Sequence, residues 1–167
     1  MTSDYPPPPP PGSGQYGHPG SYPPPSGGQQ PGGLGLRFAA RILDGILVGI
    51  VGGILVYAIG MASSIMITGL FTGLLSFAYY VAFEITQGWT PAKKLLGLSV
   101  HGPGGAAKPD FRQSAIRNSW TLLPIVPFIG GLLGVIAIVI IAMTINSSPT
   151  KQGKHDELAG GTQVVKG

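Results

Sequence analysis

Residues 42–85 read ILDGILVGIVGGILVYAIGMASSIMITGLFTGLLSFAYYVAFEI, and the only charged side chains among them are Asp44 and Glu84. A helix crosses the hydrocarbon core of a bilayer, roughly 30 Å thick, with about 20 residues. These 44 residues are therefore enough for two helices and too many for one. We predict membrane spans at residues 40–61 and 65–86, separated by an uncharged turn around residues 61–64.

Charged residues make up 10% of the 167-residue chain, against about 25% in an ordinary soluble domain. So little charge cannot cover a water-soluble surface. The chain also has no cysteine, which excludes disulfide scaffolds, thiolate catalysis, cysteine zinc sites and lipid anchors on cysteine. We therefore predict an all-α membrane protein, a small bundle of three to four membrane helices whose main partner is the lipid bilayer.

The first 33 residues differ from the rest, because they contain 11 prolines, 8 glycines and neither lysine nor arginine. Such a segment buries too little surface to offset its ordering entropy. We predict a disordered Pro/Gly-rich cytoplasmic tail with polyproline II stretches, followed by a membrane domain at residues 34–167. Two roles remain open for the tail: it recruits a cytoplasmic partner that recognises proline in an aromatic groove, or it is a solvated spacer.

Residues 118–150 form a third uncharged stretch, which is interrupted by Pro124 and Pro127. Proline removes a helix hydrogen bond and clashes with the preceding turn, so we predict a proline-broken hairpin. Its first arm, residues 111–123, is expected to be shallow or re-entrant, and its second arm, residues 129–146, to be a span. The alternative is one kinked helix that leaves the C-terminus outside.

Lysine and arginine flank the predicted spans unevenly. Arg37 and Arg41 precede the first span, and five cations follow the second, at positions 93, 94, 108, 112 and 117. The cytoplasmic loops of membrane proteins carry an excess of such residues. We therefore expect a multipass protein of the cell membrane with a cytoplasmic N-terminus and, through the hairpin, a cytoplasmic C-terminus.

Three charged residues at the start of the first span fall on one helical face, since Arg37, Arg41 and Asp44 are at i, i+4 and i+7. An unpaired carboxylate inside a membrane is costly, so we expect Asp44 to pair with a cation, in the first place Arg41. Glu84, at a similar depth on the antiparallel second span, is expected to join them. Two interpretations stay open: a cation or proton site tuned by burial, or a structural ion cluster that fixes the helices.

Small residues recur at four-residue steps on both spans, with Gly45, Gly49 and Gly53 on the first and Gly69 and Gly73 on the second. In lipid, such positions let helix backbones approach closely, so we interpret them as packing surfaces. A polar lining for an ion path, completed by a homo-oligomer, is the alternative interpretation.

Nothing in the sequence predicts enzyme chemistry. His155 and Asp156 are adjacent, but the other two histidines, His18 and His101, do not lie at metal-ligand spacing from them. We expect no metal, no cofactor, no nucleic-acid partner and no enzymatic activity.

Three separated motifs resemble those of the RDD family of small bacterial integral membrane proteins, which is named for one Arg and two Asp positions. They are RFAARILD at residues 37–44, GWTPAKKLLGLSV at residues 88–100 and HDELAGGTQVV at residues 155–165. The resemblance covers about residues 36–166. The middle motif is similar to the TPGK loop of the family, with matches at Thr90, Pro91, Lys93, Gly97 and Val100.

The resemblance implies that Arg37, Asp44 and Asp156 are the three named positions, which would meet at the cytoplasmic face. Arg117 stands where the family often has an arginine before its last apolar stretch. The resemblance also implies a cytoplasmic-membrane location and a transport-related role, with cation/proton exchange the usual suggestion. The proline-rich front is similar to that of actinobacterial members.

Two departures from the family pattern stand out. Ala92 replaces the usual glycine of TPGK, and Gly161 adds one residue between Asp156 and Thr162. The first weakens any expectation of a special backbone conformation in the loop, and the second shifts the register of the C-terminal residues.

Overall fold

The computed structural model describes residues 29–61 and 63–167, so most of the predicted tail lies outside the described residues. Helices and strands follow one another as β1 Gln30–Pro31, α1 Leu34–Ala58, α2 Ile65–Gln87, α3 Pro91–Leu95, β2 Leu98–His101, α4 Phe111–Asn118, α5 Gly130–Ser147, α6 Lys154–Leu158 and β3 Gln163–Lys166. Short 3₁₀ segments lie at Pro103–Gly105 and Ser119–Ile125.

Three of the described helices, α1, α2 and α5, are long and apolar enough to cross a membrane. This confirms the predicted class of a mostly helical membrane protein. Large apolar side chains cover the outer faces of these helices, and Ile54 on α1 is 62% exposed. A soluble protein rarely exposes so much contiguous apolar surface, whereas lipid tails solvate it.

The ends of α2 follow from local chemistry. Ser64 caps its start, because the Ser64 hydroxyl accepts a hydrogen bond from the Ile67 N–H at 3.4 Å. Gly88 ends it with a φ of 75°, a left-handed conformation that glycine adopts without strain. The larger difference from the predicted spans is at α1, which begins at Leu34 rather than at residue 40.

The buried face of α1 is a single stripe, and it includes two of the charged residues that the sequence singled out. Its members are Arg37, Ala40, Asp44, Val48, Gly52 and Val56. The glycine stripe expected to pack helices faces the other way: a Cβ added at Gly45, Gly49 or Gly53 meets no described atom within 4 Å. Four-residue spacing is shared by every face of a helix, so the pattern alone did not tell which face is inside.

The third apolar stretch is a hairpin. α4 passes into the 3₁₀ segment Ser119–Ile125, which contains Pro124, and the chain then turns before α5. Phe128 has a φ of 66° in this turn. The two arms touch closely, because a Cβ added at Gly130 would collide with the Leu123 carbonyl oxygen.

The first arm of the hairpin runs along most of the length of α2. A Cβ added at Gly69, the fifth residue of α2, would lie 2.5 Å from the Pro124 carbonyl oxygen, and one at Gly73 would lie 2.7 Å from Ile125 Cγ1. The arm therefore reaches almost to the far end of α2. Its eight α-helical and seven 3₁₀ residues extend about 26 Å, because the 3₁₀ form rises more per residue. The expectation of a shallow or re-entrant arm rested on the small number of residues in this stretch, and the larger 3₁₀ rise lets the arm extend further along α2 than that number suggests.

A three-stranded antiparallel sheet closes one end of the bundle, with β3 between β1 and β2. Gln30 pairs with Lys166, so the residues before α1 and the C-terminus lie at the same end of the bundle. Gln30 and Pro31 thus belong to the folded domain, although the sequence predicted a tail up to residue 33. Strands of two and four residues are too short to show the alternation that identifies them in a sequence.

The close approach at Gly69 predicts opposite effects for two glycine substitutions in the spans. Gly69→Ala places a methyl group against the Pro124 carbonyl and should destabilise the protein by about 1–3 kcal/mol, as overpacking does. Gly49→Ala, on the outward stripe, should leave stability unchanged or slightly higher, because alanine is the better helix former. Thermal unfolding of both variants in detergent, followed by circular dichroism, measures the difference. Equal melting temperatures would contradict the described packing of the hairpin on α2.

Candidate functional site

A network of charged side chains lies at the end of the bundle that carries the sheet. Its first pair joins α1 to α6: Arg37 Nη1 donates to Asp156 Oδ2 at 3.0 Å. Arg37 Nε also donates to the Gly32 carbonyl at 3.0 Å, and Nη2 donates to the Val164 carbonyl at 3.3 Å. This arginine therefore ties the start of α1 to α6, to the residue after β1 and to β3. It also brings together Arg37 and Asp156, two of the positions that the resemblance singled out.

Arg117 on α4 lies between the two most buried acids of the network. Its Nη1 is 3.2 Å from Asp156 Oδ1, and its Nε is 3.8 Å from Glu84 Oε1. Both carboxylates have no solvent exposure. One guanidinium thus bridges an acid on α2 and an acid on α6, and it holds three elements together.

Glu84 has a full set of partners. Lys93 Nζ donates to Glu84 Oε1 at 2.5 Å, and the Ser114 hydroxyl and the Asn118 amide each donate to Oε2 at 2.9 Å. Neither Ser114 nor Asn118 was among the candidate residues. The signal for them was the spacing of Ser114, Arg117 and Asn118 at i, i+3 and i+4, which puts three polar groups on one face of a short helix.

Lys93 reaches Glu84 because the loop motif folds as a capped helix. Thr90 accepts a hydrogen bond from the Lys93 N–H at 3.4 Å, and Pro91 occupies the first turn of α3. Burial lowers the pKa of the Lys93 ammonium to about 8, although the nearby Glu84 carboxylate opposes that shift. Gly97, also matched in the motif, has a φ of 69° in the turn before β2.

Asp44 does not pair with a cation, contrary to the prediction. The Tyr79 hydroxyl donates to its Oδ1 at 2.7 Å, the Thr90 hydroxyl donates to Oδ2 at 2.5 Å, and the Ala92 N–H donates to Oδ1 at 3.1 Å. No described lysine or arginine nitrogen lies within 4.0 Å of this carboxylate. The sequence analysis expected Arg41 as the partner of Asp44. The partners at the start of α3 are instead the Thr90 hydroxyl and the Ala92 N–H.

Arg41 points instead towards two aromatic rings. Its guanidinium carbon lies 3.5 Å from the centre of the Tyr80 ring and 4.4 Å from that of Trp120. Arg41 Nη1 donates to the side-chain oxygen Oδ1 of Asn118 at 3.4 Å. Arg41 Nη2 is buried without a described hydrogen-bond partner. Arg41 and Asp44 are three residues apart on α1, so their side chains differ in direction by about 60° around the helix axis. This difference is enough to bring them to different neighbours.

Asp156 is fixed by backbone as well as by arginines. Its Oδ2 accepts from the Gly153 N–H at 3.1 Å, and its Oδ1 accepts from the Thr162 hydroxyl at 3.2 Å. Burial acts to raise the pKa of Asp156, but Arg117, Arg37 and the Gly153 N–H together hold it well below its usual range. Burial lowers the pKa of neighbouring His155 to about 4, so this histidine is neutral at pH 7.

The named family positions thus separate into two environments. Arg37 and Asp156 form an ion pair within a network that also contains Arg117, Glu84 and Lys93, whereas Asp44 lies among neutral donors. Within residues 29–61 and 63–167, no group of three histidine or acidic side chains is arranged to hold a metal ion.

A bundle of membrane-spanning helices that encloses ion pairs at one end defines a polytopic integral membrane protein. The sequence model of the RDD family matches residues 31–160, which is most of the chain. The chain therefore belongs to the RDD family. No curated protein and no solved structure matches it.

The bridging position of Asp156 predicts a large cost for removing its charge. Asp156→Asn leaves Arg37 and Arg117 without their shared carboxylate, and breaking a buried pair in this way costs about 3–5 kcal/mol. Glu157→Gln is the matched control, because Glu157 is exposed and pairs with Lys154 at the surface, where such pairs contribute about 0–1 kcal/mol. Thermal unfolding in detergent should show a large drop for the first variant only. Equal, small shifts would mean that the network does not hold the fold together.

Proposed function

We propose a non-catalytic, transport-related role for this protein, in which protons rather than metal cations move and Asp44 is the group that binds them. The observation that carries the proposal is the environment of Asp44. Asp44 lies on the buried face of α1 and is 1% exposed. The described partners of its carboxylate are two hydroxyls and one backbone N–H. Ionisable residues within membrane helices are rare and often mark proton or ion pathways.

The other buried acids argue against a metal cation. Glu84 and Asp156 each have two basic side chains within 4.0 Å, and these cations repel a further positive ion at short range. A hard metal cation also needs several oxygen ligands with free lone pairs. At Asp44, one of the neighbouring groups is the Ala92 N–H, which donates to Oδ1. An N–H donor has no free lone pair and cannot be a ligand of a metal cation.

A proton meets no such obstacle at Asp44. A hydroxyl both donates and accepts hydrogen bonds, so Tyr79 and Thr90 can partner the carboxylate and the carboxylic acid alike. Tyr79 is half-buried, which connects Asp44 to the outer part of the bundle. The hydroxyl pair therefore supports proton binding and release without a change in the helices.

Proton flux should depend on Asp44. In proteoliposomes with a pH-sensitive dye inside and an inside-negative potential set by a K⁺ gradient and a K⁺ ionophore, wild-type protein should speed proton entry. Asp44→Asn should reduce the rate to that of protein-free vesicles, because an amide does not titrate. Tyr79→Phe, which removes one hydroxyl partner, should give an intermediate rate. Glu157→Gln, an exposed acid-to-amide change, should keep the wild-type rate. Wild-type vesicles that leak no faster than empty ones, with folded protein inside, would defeat the proposal.

We further propose that the protein lies in the cell membrane with both chain ends in the cytoplasm. The basic residues before α1 and after α2 support this orientation by the positive-inside rule, and the pairing of Gln30 with Lys166 requires a common side. This orientation also supports a second candidate function. The proline-rich tail would continue from Gln29 into the cytoplasm and recruit a partner with an aromatic, proline-recognising groove.

Cysteine labelling tests the orientation, since the chain has no native cysteine. In intact cells, a membrane-impermeant maleimide should label a cysteine at Ser64, in the turn between α1 and α2, and should not label one at Lys166 until the cells are opened. Both positions are outside the buried network, and the cysteine at Ser64 costs only the helix cap, about 1 kcal/mol, so both variants should fold. Labelling of Lys166 and protection of Ser64 would reverse the orientation and remove the tail as a cytoplasmic docking segment.

A further inference from the structure

A cavity of about 90 Å³ lies between the first turns of α1 and the last turns of α5. We call it the α1–α5 cavity. Its polar wall includes four basic side chains, Arg37, Arg41, Lys93 and Arg117. Its lining also includes apolar side chains, among them Leu34, Phe38, Ile138 and Ile141. The proton proposal for Asp44 does not use this cavity, and Asp44 does not line it.

The charges around the α1–α5 cavity do not balance. Four basic side chains face two carboxylates, Glu84 and Asp156. Arg41 is the basic residue without a carboxylate within 4.0 Å in the described part of the chain. Even if the nearby charge of Asp44 is included, one positive charge remains uncompensated. His155, which also lines the cavity, is neutral at pH 7 and does not change this count.

An unsatisfied donor lies at the same place. In residues 29–61 and 63–167, three buried side-chain nitrogens lack a hydrogen-bond partner: Arg41 Nη2, Arg117 Nη1 and His155 Nδ1. All three residues line the α1–α5 cavity. Arg117 Nη1, however, lies 3.2 Å from Asp156 Oδ1, and Nδ1 of a neutral histidine can be an acceptor, so Arg41 Nη2 is the donor that needs a partner. Buried donors are nearly always satisfied in native proteins, so this nitrogen is suited to an acceptor-rich group with negative charge.

The guanidinium of Arg41 is held in a fixed orientation. It is stacked between the rings of Tyr80 and Trp120, and Asn118 accepts from Nη1. A guanidinium with a fixed plane binds phosphate or carboxylate with specific geometry, because its N–H groups form a rigid fork. The stacking therefore prepares Arg41 for an oxyanion at little cost in side-chain entropy.

The position of the cavity indicates an amphiphile. Arg41 is at the start of the span predicted for residues 40–61, and the start of a span is expected near the membrane surface. The volume of 90 Å³ corresponds to about three water molecules at about 30 Å³ each, which is comparable with one phosphate group and too small for a whole lipid. Phe38, which is 52% exposed at the rim, offers an apolar surface on which acyl chains can lie outside the cavity.

We propose that the α1–α5 cavity binds the phosphate group of an anionic phospholipid, with Arg41 as the main ligand and the acyl chains along Phe38 and Ile138. A zwitterionic lipid carries its own cation, which the excess positive charge of the wall disfavours. A soluble phosphate lacks the chains that the apolar wall accommodates. The proposal is independent of proton movement, because Asp44 does not line the cavity.

Tryptophan fluorescence can report occupancy, because the chain has two tryptophans and Trp120 stacks on Arg41. In a Trp89→Phe background, full-length protein is reconstituted in phosphatidylcholine vesicles that contain increasing fractions of dibrominated phosphatidylglycerol or dibrominated phosphatidylcholine. The anionic lipid should quench Trp120 at a mole fraction about tenfold lower than the zwitterionic lipid, which is the effect of about one charged hydrogen bond.

Three variants locate the effect. Arg41→Gln should reduce the preference to about one, while Arg112→Gln, which removes an exposed arginine of α4, should keep it. Ala142→Phe keeps every charge but fills the cavity, and it should also abolish the preference. This variant keeps the test valid if Arg41→Gln fails to fold, as helical circular dichroism will show.

Several results would overturn the proposal. Equal quenching by the two brominated lipids in the wild-type background excludes a selective site. Loss of the preference in Arg112→Gln as well would mean that surface charge, rather than the cavity, attracts the lipid. If excess inorganic phosphate abolishes the preference at constant ionic strength, the occupant is a free anion and not a lipid.

Discussion

The structure depends on the neutralisation of two carboxylates that have no contact with solvent. Glu84 and Asp156 are both fully buried, and an ionised carboxylate in such surroundings is stable only with cations and hydrogen bonds around it. Arg117 serves both acids. Because Glu84 belongs to α2, Asp156 to α6 and Arg117 to α4, satisfying these charges requires the hairpin to return the chain to the end where it began.

The same requirement accounts for the sheet, for the loops around Asp156 and for the short helix α3. The sheet brings Val164 close enough for its carbonyl to accept from Arg37, and Gln152 and Thr162 hold the loops around Asp156. The capped helix α3 directs Lys93 at Glu84 and presents Thr90 and Ala92 to Asp44. Ala92 acts there through its backbone N–H, which explains how alanine can stand where the family usually has glycine.

Two kinds of buried environment result at one end of the bundle. Around Asp44 the partners are two hydroxyls and one backbone N–H, all of them neutral. Around the α1–α5 cavity the cations exceed the acids, and Arg41 is supported by aromatic rings instead of a counterion. The sequence placed Arg41 and Asp44 on one face and paired them. The fold instead separates them, because stacking on Tyr80 and Trp120 competes with the ion pair for Arg41.

The sequence by itself determined the membrane class, the two long spans and the break at Pro124. Each of these follows from local quantities: the length of uncharged apolar runs, the depletion of charge and the missing proline N–H. Its motifs also identified Arg37, Lys93, Arg117 and Asp156 as residues of interest. Only the tertiary structure decided which acid meets which base, which glycines pack and how deep the first hairpin arm reaches. Those outcomes depend on helix rotation and on contacts between residues up to 136 positions apart, such as Gln30 and Lys166. The spacing of residues along the chain does not encode either one.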